Sequence, residues 1–179
     1  MTREFSIRWK GPERDSKENC RVCRYEFGFQ VFSQIQIGAR TFQYMIECEE
    51  NWNTENFAFR FADADLASQK YTRHSDGTWT SDGKRIYELD GCIDIDISLT
   101  PLTNSLPIKR LQLKVGESVE INVVYIDPEN NKIFPAAQRY TRLDDLKYRF
   151  ETIPNDFEAV ILVDENGFVE EYPNLFERF

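Results

Sequence analysis

The chain has 179 residues, with 31 Asp and Glu against 22 Lys and Arg and a formal net charge of −9 at pH 7. Nucleic-acid affinity comes largely from Lys and Arg neutralising phosphates, so this balance argues against a nucleic-acid partner, and equally against docking on an anionic membrane through a basic face. The length predicts a single domain over 1–179, and an aromatic content of 14 % favours a pleated, half-buried architecture over disorder.

Phe5–Trp9 alternates apolar and polar residues and predicts an opening strand, followed by a charged loop from Lys10 to Asn19. From Arg21 to Ile37 the pattern predicts one long strand, with Phe27, Phe29, Val31, Ser33, Ile35 and Ile37 on one side and Gly28, Gln30, Phe32, Gln34 and Gln36 on the other. Gly38–Arg40 turns the chain, and Thr41–Glu49 returns as the second arm of a hairpin. After a break at 49–54, Phe57–Phe61 resumes the two-residue period. Short strands follow at 69–74, 78–80 and 84–89, separated by the Asp76-Gly77 and Asp82-Gly83 turns, and Asp90-Gly91 makes a third turn.

The stretch from Gly91 to Leu111 carries the sharpest chemistry. Read as a strand, it sets Ile93, Ile95, Ile97 and Leu99 on one face and Cys92, Asp94, Asp96 and Ser98 on the other. Asp94 and Asp96 then stand roughly 6 to 7 Å apart along the backbone. Three uses fit them: pairing with Lys109 and Arg110, holding ligand hydroxyls, or acting with a cation or as an acid–base pair. Pro101 and Pro107 fix their own φ and restrict the residues before them, which predicts a stiff loop at 102–106 and a second strand from Ile108 to Leu113. Within that loop Thr103 and Asn104 either close a turn or face a cavity. Strand-like runs continue at 118–126, 137–142, 146–151, 157–163 and 168–172, with turns at Asp127–Asn131 and Asn166-Gly167; only 62–68 and 143–146 suit a helical turn.

Many short strands between turn signals predict an all-β fold, and so many strands in one sheet must curl or split. The expected form is a strongly curved antiparallel sheet, a spiral roll or half-barrel with a concave face. The run from Asp76-Gly77-Thr78-Trp79 through Leu89-Asp90-Gly91-Cys92-Ile93-Asp94-Ile95-Asp96 and Thr100-Pro101-Leu102-Thr103-Asn104-Ser105-Leu106-Pro107 resembles a bacterial family called "Putative glycolipid-binding". Tyr140-Thr141-Arg142-Leu143, Tyr148-Arg149-Phe150, Val163-Asp164, Gly167 and Tyr172-Pro173 extend the resemblance over about residues 9–176. It implies a β-rich rolled domain similar in outline to lipoprotein carriers of the bacterial envelope.

The functional expectation is that the concave face binds an amphiphilic small molecule, glycolipid-like as the resemblance implies, without a cofactor. Apolar residues would shelter an alkyl portion, and Asp94, Asp96, Asn104 and Arg110 would hold a polar head at the rim. Trp52 and Trp79 have aromatic faces that stack on sugars and shelter acyl chains, although aromatics in strands are more often core. The competing class is a metal-dependent hydrolase of a phosphorylated or glycosylated metabolite using Asp94 and Asp96, which are by themselves too few ligands for calcium or magnesium. A single histidine, His74, excludes a multi-histidine metal site, and neither phosphate-loop motif occurs. Cys20-Arg21-Val22-Cys23 has the C-x-x-C spacing, but residues three apart in a strand point to opposite faces, so structural thiols are expected in preference to a zinc or redox pair. No run of about 18 apolar residues occurs, so no transmembrane helix is expected. Met1–Lys10 lacks the apolar segment of a signal peptide, which predicts a cytoplasmic protein.

Overall fold

The two-residue alternation that dominates the sequence becomes strand in the computed structural model, which describes residues 4–62 and 68–179, and the chain is nearly all β. It divides into two compact units, Met1–Asp90 with Arg178–Phe179, and Gly91–Glu177. No helix among the described residues is long and apolar enough to cross a membrane.

The first unit is a meander of β1 (Glu4–Gly11), β2 (Ser16–Tyr25), β3 (Gly28–Ile37), β4 (Arg40–Glu49), β5 (Thr54–Phe61), β6 (Gln69–Arg73), β7 (Trp79–Ser81) and β8 (Lys84–Arg85). Each strand pairs antiparallel with the next. Two expectations are corrected here. The loop expected over 10–19 is only a single 3-10 turn at Pro12–Arg14, with β2 already extended from Ser16. The long strand expected over 21–37 is two strands, reversed at Glu26–Phe27, and Phe27 is 72 % exposed at that turn rather than on the apolar face. The signal for the reversal is a change of phase. Buried positions are even on β2 (Ser16, Glu18, Cys20, Val22) and odd on β3 (Val31, Ser33, Ile35), as a two-residue turn requires. Gly28, just past the reversal, lets β4 approach β3 closely, because a Cβ there would lie 2.0 Å from the Cys48 carbonyl oxygen on β4. The helical turn expected within 62–68 falls largely outside the described residues.

The second unit contains β9 (Asp94–Ile97), α1 (Leu102–Leu111), β10 (Ser118–Asp127), β11 (Lys132–Arg142), β12 (Lys147–Ile153), β13 (Glu158–Val163), β14 (Val169–Tyr172) and β15 (Phe176–Arg178). From β10 to β15 the strands form an antiparallel meander, whereas β9 runs parallel to β10. Parallel neighbours need a crossover connection, and α1 supplies it. The stiff loop at 102–106 and the strand at 108–113 are therefore corrected to one helix. Its prolines misdirect the sequence reading: Pro101 precedes the first turn, where a missing N–H costs nothing, and Pro107 is tolerated inside because every residue from Leu102 to Ile108 is buried. That burial outweighs the roughly 3 kcal/mol that an interior proline costs an exposed helix. Gln112 ends α1 in the left-handed conformation at φ 46°. The helix packs on a core in which Ile108 and Leu113 meet Tyr140, Phe150, Ile161 and Tyr172. The helical turn expected at 143–146 is a bend.

Candidate functional site

Four of the six residues singled out in the sequence come together in the second unit, between α1 and strands β9 and β11. Asp94 is fully buried and receives the Arg110 guanidinium as a fork, with Nη2 2.6 Å from Oδ2 and Nε 3.0 and 3.1 Å from the two carboxylate oxygens. Asp96 accepts from Gln138 Nε2 at 2.6 Å and from Thr103 Oγ1 at 3.3 Å. Burial pushes the Asp96 carboxyl above its ordinary pKa, against the lowering effect of those two donors. Asn104 Nδ2 donates to the Tyr140 hydroxyl at 2.9 Å, and burial, followed by the charge of Asp96, pushes that phenol well up. Thr103 Oγ1 also accepts the Ile97 N–H, so α1 is tied to β9 by backbone and side chain at once. Lys109 Nζ donates to the Asn166 carbonyl. The group is a brace that fastens the crossover helix to its sheet, with Arg110 occupying Asp94. Among the described residues no three His, Cys, Asp or Glu are placed to hold a metal ion.

Trp52 and Trp79 lie in the first unit. Trp79 is fully buried and meets the Phe57 ring edge-on at 5.6 Å, while Trp52, at φ 70° in the β4–β5 connection, stacks on Phe29 at 3.8 Å. His74 is an exposed turn residue within 3.0 Å of Thr80 Oγ1. Cys20 and Cys23 point to opposite faces of β2, and no disulfide joins the four cysteines.

The first unit carries a feature that the sequence reading did not single out. Across β1–β5 a furrow of about 670 Å³ runs transverse to the strands. The strand register builds it. One wall is the row Ser6, Arg21, Phe32, Met45 and Ala58; the other is the row Arg8, Asn19, Gln34, Gln43 and Arg60. Between them Ile7, Cys20, Ser33 and Tyr44 form the floor, with their side chains turned to the buried face. Five strands at the usual spacing make it roughly 19 Å long. The first wall is apolar through its middle, where Phe32 is 38 % exposed, and the second is polar throughout. Arg60 Nε donates to Gln43 Oε1 at 3.0 Å, which orients both side chains. Beneath the floor Glu18 accepts hydrogen bonds of 2.6 Å from both Ser33 Oγ and Tyr44 OH, clamping β2, β3 and β4 in register. Burial, with Glu18 next, pushes the Cys20 thiol well above its ordinary pKa, so the floor presents no reactive thiolate. The outward alternation Gln30-Phe32-Gln34-Gln36 was the legible sign of this surface, but it gains meaning only from the cross-strand neighbours.

These features define a class: a largely antiparallel β protein with a parallel β9–β10 pair joined through α1 and a two-walled furrow on a sheet face. The profile of the family described as "Putative glycolipid-binding" matches residues 6–178, and the chain belongs to that family. It is also similar to the crystal structure of a DUF1089-family protein from Pseudomonas aeruginosa, with 32 % identity, a TM-score of 0.81 and 92 % of each chain covered. No curated protein matches it.

Proposed function

We propose that the chain binds a glycolipid-like amphiphile in the β1–β5 furrow. The observation that carries this reading is the division of the two walls: Phe32, Met45 and Ala58 offer an apolar strip, and Asn19, Gln34 and Gln43 face them with amides. A sugar presents the same division, with C–H faces that rest on apolar side chains and hydroxyls that both donate and accept, as amides do. The volume lies within the usual range of small-molecule sites, about 300–1,000 Å³, and their usual make-up is an apolar lining with a few placed polar groups. The description of the family points to the same ligand class. In this reading Asp94, Asp96, Asn104 and Arg110 brace the second unit, and Trp79 is core.

Titration calorimetry with octyl β-D-glucoside below its micelle concentration tests it. Saturable binding to the wild type should weaken tenfold or more in Gln34→Ala/Gln43→Ala and in Met45→Asp. These side chains project from the accessible sheet face, so the fold should survive. Absence of saturable binding, or binding that both variants leave unchanged, overturns the proposal.

A further inference from the structure

The furrow's charge is opposite to that of the chain. Acidic residues outnumber basic ones 31 to 22 overall, yet among the described residues lining the furrow three are arginines, Arg8, Arg21 and Arg60, and none is acidic. Among the described residues none of the three forms an ion pair with a carboxylate. Gathering three guanidinium groups without carboxylate partners along one furrow sets like charges near one another, a local cost that a bound anion would relieve.

Their placement is specific. Ser6 pairs with Arg21 and Arg8 with Asn19, so Arg8 and Arg21 are diagonal neighbours standing on opposite walls at the β1–β2 end of the furrow. Diagonal neighbours on antiparallel strands are about 7–8 Å apart, within reach of two long side chains converging on one anion. Along β1–β2 the next same-face register pair beside the Arg8 wall is Lys10 with Lys17, and beside the Arg21 wall it is Glu4 with Cys23, so the positive sign is strongest on the Arg8 side. Arg8 lies 4.8 Å over the Phe179 ring, a cation–π contact that leaves its charge unneutralised. A guanidinium fork matches the two oxygens of a carboxylate or phosphate, which an ammonium does not.

We infer that the furrow selects an acidic saccharide head, a sugar bearing a carboxylate or phosphate that sits between Arg8 and Arg21 while the ring lies along Phe32 and Met45 against the amide wall. This rests on the furrow being the amphiphile site, and deepens that reading by assigning the charge and direction of the ligand: anion toward β1–β2, neutral ring toward β5.

Three probes with one alkyl chain separate the possibilities: octyl β-D-glucoside, octyl β-D-glucuronide and octyl phosphate, each titrated calorimetrically against the full chain at 50 and 300 mM NaCl. The glucuronide should bind at least tenfold more tightly than the glucoside at low salt, and the preference should shrink at high salt, since a partly exposed ion pair is screened. In Arg8→Gln/Arg21→Gln the ratio should fall to about one, and Arg8→Lys/Arg21→Lys should restore it only in part. Equal binding of the two glycosides overturns the inference and leaves the amphiphile site standing. Octyl phosphate binding as tightly as the glucuronide also overturns it, because the sugar would then contribute nothing. If the glucoside shows no saturable binding, the reading beneath it fails as well. A wild-type preference for the glucuronide that does not shrink between 50 and 300 mM NaCl overturns the inference whatever the variants do.

Discussion

Removing the Arg110 guanidinium isolates the cost of a buried charge. Asp94 has no accessible surface and takes its cation from a side chain that is itself only 15 % exposed, through three contacts of 2.6 to 3.1 Å. Arg110→Ala therefore leaves a carboxylate that water cannot reach, a change that costs about 3–5 kcal/mol when one partner of a buried pair is deleted. For a chain of this length each kcal/mol shifts the melting temperature by about 2–4 °C, so the expected fall is about 6–20 °C. Because Arg110 and Asp94 fasten α1 to β9, the loss should appear first as faster hydrogen exchange in α1. Urea unfolding followed by far-UV circular dichroism gives the free energy. The second half of the test is Asp94→Asn/Arg110→Ala, which removes the stranded charge and should recover part of the loss. A single-variant cost below about 1 kcal/mol, the range of exposed ion pairs, would refute the reasoning.

The remaining predictions bear on the same structure. The Asp96 carboxyl has its pKa raised by burial, so the folded state holds its proton more tightly than the unfolded one does. Its contribution is thus present at low pH and is lost as pH rises from the unfolded pKa through the folded one. Urea midpoints of Asp96→Asn measured across pH 3.5–8 should lack this fall, and an unchanged profile would contradict it. Tyr140→Phe strands the buried Asn104 amide and should cost about 1–3 kcal/mol by urea unfolding, while a neutral result would show that Asn104 finds another acceptor. Gly28→Ala forces a Cβ to within 2.0 Å of the Cys48 carbonyl oxygen and should cost about 3 kcal/mol or more, with misfolded or insoluble product as its strongest form. Cys20, Cys48 and Cys92 are buried and Cys23 is partly exposed, so iodoacetamide should label Cys23 first in the folded protein, as peptide mass spectrometry would show. Prior labelling of Cys20 would contradict the closed floor.

Strand type was legible because period two survives in a single sequence, and the Asp-Gly and Asn-Gly turns were legible because they need particular residues. The reversal at Glu26–Phe27 was hidden because neither residue announces a turn. Only the switch of buried phase from Val22 to Val31 marks it. Helix α1 was hidden for a different reason. Two prolines and buried Thr103, Asn104 and Ser105 deny it an amphipathic pattern, and it exists because the parallel β9–β10 pair needs a crossover that buries nearly every side of it. The pairing of Asp94 with Arg110 was legible, since charge and nearness in sequence sufficed, whereas the partners of Asp96 include Gln138, 42 residues away on β11. The furrow was not legible because its walls are cross-strand rows, each joining residues from five strands, and register exists only once the chain is paired.

The most direct measurement is photo-crosslinking with octyl β-D-glucoside carrying a diazirine on its sugar ring, followed by peptide mapping. The account predicts adducts concentrated on the peptides containing Phe32, Met45 and Ala58, with competition by unmodified glycoside. Competed adducts confined to residues 91–177 would contradict it and return the ligand to the neighbourhood of Asp96.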